Sequence, residues 1–111
     1  MLEALFGRIE AQRDALVDLT RELVRFPTIN PPGEAYRACA RHLGNRLTRS
    51  GFEVAYVRAE GVIGDSDRYP RINVIARCEG FGPGPCVHFN GHIDVVEAGH
   101  GWTVDPFAGV I

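Results

Sequence analysis

Long apolar runs are missing from this 111-residue chain. Nothing in it approaches the roughly 20 consecutive apolar residues that cross a bilayer, which excludes a membrane-spanning helix. Positive charge is not in excess either: 12 Lys and Arg stand against 14 Asp and Glu, a formal net charge of −2. That balance lacks the basic footprint of a nucleic-acid binder. Cysteine is scarce and odd in number, with Cys39, Cys78 and Cys86 at spacings unlike a zinc finger. In a cytosolic chain the three read as small apolar residues rather than a disulfide framework. The first ten residues, M-L-E-A-L-F-G-R-I-E, carry acids where a secretory signal has bases before an apolar block, so the cytoplasm is the expected compartment. There are no internal repeats and no low-complexity tracts. What remains is an ordinary soluble composition, 45% apolar and 23% charged, at a length that supports one small domain.

Periodicity places the elements. Leu2, Leu5, Phe6 and Ile9 form an apolar stripe that Leu16, Leu19 and Leu23 resume after a polar gap at Gln12 and Arg13. The spacing predicts one helix over residues 2–25, stopped by Pro27. The T-I-N-P-P-G stretch at 28–33 is a rigid loop in which Asn30 can cap a following helix, with Pro31 at its first position. That helix is predicted over 34–50 from Tyr36, Ala40, Leu43 and Leu47, with Gly51 as its left-handed terminator. His42 and the arginines at 37, 41, 46 and 49 fall on its solvated face. Alternation predicts strands over 52–57 and 71–77, joined by a polar, glycine-punctuated loop. Asp65 and Asp67 in that loop lack the rest of a calcium-binding pattern. A third strand is predicted over Cys86–Asn90, after the turn G-F-G-P-G-P. The expected fold is α/β, with two helices packed on a sheet of which three strands are present.

Chemistry concentrates at the exit of that third strand. His92 and Asp94 stand at i and i+2 after Gly91, so in an extended backbone both side chains leave on one face. A neutral imidazole binds a metal ion, and a carboxylate fixes the ring and raises its basicity. His88 reads as a core position, with support of the metal ligand as its alternative. His100 reads as an exposed loop residue. Trp102, Pro106 and Phe107 read as anchors that bury aromatic area and fix the loop, and Asp105 as a turn former.

The assembly N-G-H-I-D-V-V followed by W-T-V-D-P-F resembles the first metal-site motif of the co-catalytic zinc deacylase and peptidase family. That family includes acetylornithine deacetylase, succinyl-diaminopimelate desuccinylase, aminoacylase and glutamate carboxypeptidase. The likeness extends upstream through L-V-R-F-P-T-I-N-P-P-G-E and P-R-I-N-V-I-A, so it covers most of the chain. One departure is Glu97, where the family usually has Pro. The resemblance implies a zinc-peptidase-like catalytic domain with two Zn²⁺ per complete site, for which Co²⁺ or Mn²⁺ substitute. It makes His92 a metal ligand and Asp94 the catalytic carboxylate that orients it. The implied substrate is a small N-acyl amino acid or peptide whose amide bond is hydrolysed. The family's other ligands and its general base lie further along than Ile111. Residues 1–111 are therefore expected to be the N-terminal portion of a metallohydrolase, inactive alone, whose parent dimerises through a domain absent here. The alternative is a non-catalytic binding module that retains the scaffold.

Overall fold

The computed structural model describes all residues, 1–111. The chain forms α1 (Leu2–Ala11), α2 (Arg13–Val24), α3 (Tyr36–Arg49), β1 (Glu53–Arg58) and β2 (Ile72–Arg77), an α/β content. It divides into two compact units, one of Met1–Pro27 with Ala98–Ile111, the other Thr28–Glu97.

In the first unit the helix expected over 2–25 is two helices. Gln12 leaves the helical region at φ −99° and ψ 7°, and its N–H returns three residues to the Ile9 carbonyl at 3.0 Å. The break falls on the polar gap in the stripe, where no apolar side chain is present to gain from continued packing. Neither helix buries a residue fully, and Leu5, Phe6 and Leu16 are each about half exposed or more. Residues 98–111 are tied to α2 through Arg21 Nε, which donates to the Gly109 carbonyl at 2.7 Å, and Arg25 Nε, which donates to that of Ala108 at 3.2 Å. Asp105 forms the expected turn: its Oδ1 accepts the Phe107 N–H at 2.9 Å. Trp102 is not the buried anchor expected, since it is 58% exposed and held by its indole N–H on the Ala98 carbonyl.

The second unit holds the core and the sheet. Tyr36, Cys39 and Ala40 are its buried apolar residues, all on the face that α3 turns to β1 and β2. Gly44 lies on the same face, where any Cβ would collide with the Tyr56 ring. Glycine within a helix costs about 1 kcal/mol, and here it admits an aromatic ring against the helix backbone. The helix ends as expected. Gly51 takes φ +87°, its N–H reaches the Thr48 carbonyl, and the Phe52 N–H reaches that of Leu47. This is the Schellman arrangement. Its start differs: the residue before α3 is Ala35 in the left-handed region, not Asn30. His42 and Arg46 are half-buried and engaged, whereas Arg37, Arg41 and Arg49 are exposed as expected.

β1 and β2 pair antiparallel, Glu53 with Arg77 through Arg58 with Ile72. Ile72, Val74 and Ala76 are half-buried, while Val57 and Ile75 are about half exposed. The third strand does not form. Residues 86–90 make no ladder, and Val87 and Phe89 are 72% and 89% exposed. β-propensity describes fit to a pleated, partnered surface, and this segment has no strand beside it. His88, expected in the core, is exposed for the same reason.

Candidate metal centre

Two short extended segments build the site. Residues 28–30 and 93–95 run side by side as a parallel bridge between Ile29 and Val95. The Asn30 N–H donates to the Val95 carbonyl at 2.8 Å, and the Val95 N–H donates to that of Thr28 at 3.0 Å. Thr28, buried to 2% exposure, adds its hydroxyl to the Ile93 carbonyl. A buried hydroxyl must find a partner, and this one clamps the segment that carries His92 and Asp94.

The i, i+2 pair expected from the sequence is formed. His92 Nδ1 lies 3.1 Å from Asp94 Oδ1 and 2.9 Å from the Asp94 carbonyl oxygen. Both neighbours are acceptors, so Nδ1 carries the proton and the lone pair sits on Nε2. The ring is otherwise open, with its side chain 83% exposed against 39% for Asp94. The other carboxylate oxygen, Oδ2, accepts the side-chain amide of Asn30 at 3.2 Å. That bond, foremost, holds the Asp94 carboxyl below its ordinary value; partial burial works against it and His92 adds to it. Asp94 is therefore an anion at neutral pH.

Asn30, Tyr36, Arg71, His88, His92 and Asp94 line one cleft of about 790 Å³. Burial pushes the Tyr36 hydroxyl up, and the Asp94 charge adds to this. Arg71 stacks on the Tyr36 ring at 5.2 Å, and its Nη1 is buried without a hydrogen-bond partner.

A neutral imidazole with a carboxylate behind it and Nε2 facing outward has the form of a metal ligand. The donor set stops there. No group of three or more His, Cys, Asp or Glu side chains is arranged to hold an ion. The residues fit one ligand position of a metal ion, and they do not form a complete site. The three cysteines are free, Cys39 buried with its thiol pushed up, Cys78 and Cys86 exposed.

Known proteins match this stretch. A succinyl-diaminopimelate desuccinylase of Wolinella succinogenes is 33% identical over 95 residues, covering 86% of this chain and 22% of that protein. That of Gluconobacter oxydans is 38% identical over 96 residues, with the same two shares. Over most of its length the chain is similar to succinyl-diaminopimelate desuccinylases. A third desuccinylase, from a Sulfurovum species, is 32% identical over 96 residues. No protein-family model and no solved structure matches the chain. The chain spans about a fifth of the length of the curated relatives it matches. No helix in it is long and apolar enough to cross a membrane.

The site residues that sequence reasoning missed are Asn30 and Thr28. Asn30 was expected to cap α3, and instead its side chain meets a carboxylate 64 residues away. No periodicity or motif spacing signals such a contact.

Proposed function

We propose that the chain is the N-terminal part of a metal-dependent amidohydrolase of desuccinylase type. The reaction is hydrolysis of the amide bond of an N-acyl amino acid, with an N-succinyl amino acid as the first candidate. One observation carries the assignment of roles: the bond from Nδ1–H of His92 to Asp94, which leaves Nε2 as a directed donor. His92 supplies one ligand through Nε2. Asp94, whose ionised form the Asn30 amide favours, fixes the ring and increases its donor strength. Zinc, when bound, supplies a Lewis acid for the acyl carbonyl and an acidified water. Cobalt and manganese are the expected substitutes.

The cleft supports a small anionic substrate. Its volume, about 790 Å³, is in the range of small-molecule sites. Arg71 contributes a guanidinium to its lining, the side-chain type best matched to a carboxylate. The remaining ligands and the general base belong, on this reading, to further parts of the parent protein. Residues 1–111 alone are therefore without turnover. We place the parent in the cytoplasm as a homodimer joined outside this segment.

The test compares the full-length parent with the 111-residue chain on N-succinyl and N-acetyl amino acids, before and after chelation and with zinc or cobalt restored. Turnover is expected from the parent alone, lost on chelation and restored by metal. A parent that hydrolyses these amides equally well when stripped of metal overturns the proposal.

A further inference from the structure

We propose that Asn30 is a positioning residue for the His92–Asp94 pair, setting which imidazole nitrogen faces outward. The inference rests on the reading of His92 as a ligand and adds the device that aims it.

A carboxylate turns about its last carbon–carbon bond unless both oxygens are engaged. Asp94 Oδ2 takes the Asn30 amide at 3.2 Å, which leaves Oδ1 toward His92 Nδ1 at 3.1 Å. The tether is itself anchored. Asn30 N–H bonds to Val95, and Val95 N–H bonds to Thr28, so the backbones bearing Asn30 and Asp94 belong to one ladder and stay in register. The Thr28 hydroxyl on the Ile93 carbonyl closes the same ladder from the other side. A primary amide suits the role because its NH₂ donates to a carboxylate and carries no charge to compete with the imidazole. The Asp94 carbonyl also accepts from Nδ1, at 2.9 Å, so it favours the same tautomer, and Asn30 adds the carboxylate to that preference.

The experiment reads tautomers in the metal-free chain. Histidines are labelled with ¹⁵N, and two-bond proton–nitrogen spectra are recorded at mildly alkaline pH, where free imidazole is neutral. The four histidines are assigned by single His→Gln changes. Wild-type His92 is expected as the Nδ1–H form, and exposed His100 as the mixture of free imidazole, in which Nε2–H predominates. In Asn30→Ala and in the isosteric Asn30→Asp, His92 should move toward the His100 pattern while His88 and His100 stay fixed. A His92 tautomer unchanged in either variant, with the backbone amide signal of Val95 preserved, overturns the proposal. A measurement that leaves Asn30 intact guards against loss of the loop: the Asn30 side-chain NH₂ signals should move in Asp94→Ala, and their constancy also overturns it. Added Co²⁺ separates this inference from the one beneath it. If the full-length parent takes up as much cobalt with His92→Ala as without it, the ligand reading fails, while the tautomer result in the metal-free chain still decides the role of Asn30.

Discussion

Asp65 and Asp94 are both loop aspartates of the same unit, and their surroundings differ in kind. The Asp65 carboxylate is saturated. It takes Nε and Nη2 of Arg58 at 2.9 and 3.0 Å, the Arg71 backbone N–H at 3.0 Å and that of Gly61 at 3.4 Å. Its side chain is 5% exposed, and the Arg58 bonds above all pull its pKa down to about 2. Asp94 has one amide and one imidazole, and the imidazole keeps a free nitrogen turned to solvent. The saturated carboxylate closes a loop. The sparsely held one directs a neighbour outward, and that neighbour can bind something. On the proposed reading, strong pairing marks the structural aspartate and an unfinished set of bonds the functional one.

Exchanging the two roles gives the largest expected effect. In the full-length parent, Asp94→Asn should lower turnover by about 10–100-fold while retaining most of the metal, the usual consequence of weakening a ligand's partner. Asp65→Asn should leave turnover per folded molecule unchanged and lower the melting temperature instead. Steady-state kinetics, metal analysis and thermal melts on both variants check this, and equal effects on turnover would erase the contrast.

His92→Ala comes next. It should lower metal occupancy without shifting the melting point of the metal-free chain, because a side chain 83% exposed contributes little packing. A drop in stability would assign His92 a structural part.

Acid sharpens the comparison further. A carboxyl whose folded pKa lies at about 2 against an ordinary 3.8 stabilises the fold above the ordinary value and loses that contribution as pH falls toward about 2. The stability difference between wild type and Asp65→Asn should therefore be fully present from about pH 5 upward and shrink steadily below about pH 4. Denaturant midpoints at several pH values measure it, and a difference that stays constant with pH would contradict the assignment.

The smallest effect is reserved for Asp67→Ala. Asp67 also pairs with Arg58, at 2.9 Å, but its side chain is 99% exposed. Exposed pairs are screened by water and salt, so its melting curve should overlay the wild type.

Much of the scaffold was legible from local pattern. The stripe on α3, its glycine terminator and the alternation of β1 and β2 each depend on residues close in sequence, where period and turn chemistry decide. The misreadings have a common cause. The segment 86–90 has strand composition, but a strand needs a neighbour, and composition does not say whether one is there. Residues 2–25 have a nearly continuous stripe, but a helix held mainly by packing gives way where the stripe offers nothing to pack.

The same division runs through the candidate site. The pairing of His92 with Asp94 was determined by the sequence alone, since two residues at i and i+2 in extended backbone share a face whatever surrounds them. Tertiary structure alone decided how the Asp94 carboxylate is turned toward the imidazole. That orientation rests on Asn30, brought across 64 residues by the ladder between segments 28–30 and 93–95. Backbone hydrogen bonds between distant segments are identical for nearly every residue type, so the chain's letters do not announce them, yet they place one amide where a single carboxylate oxygen can use it.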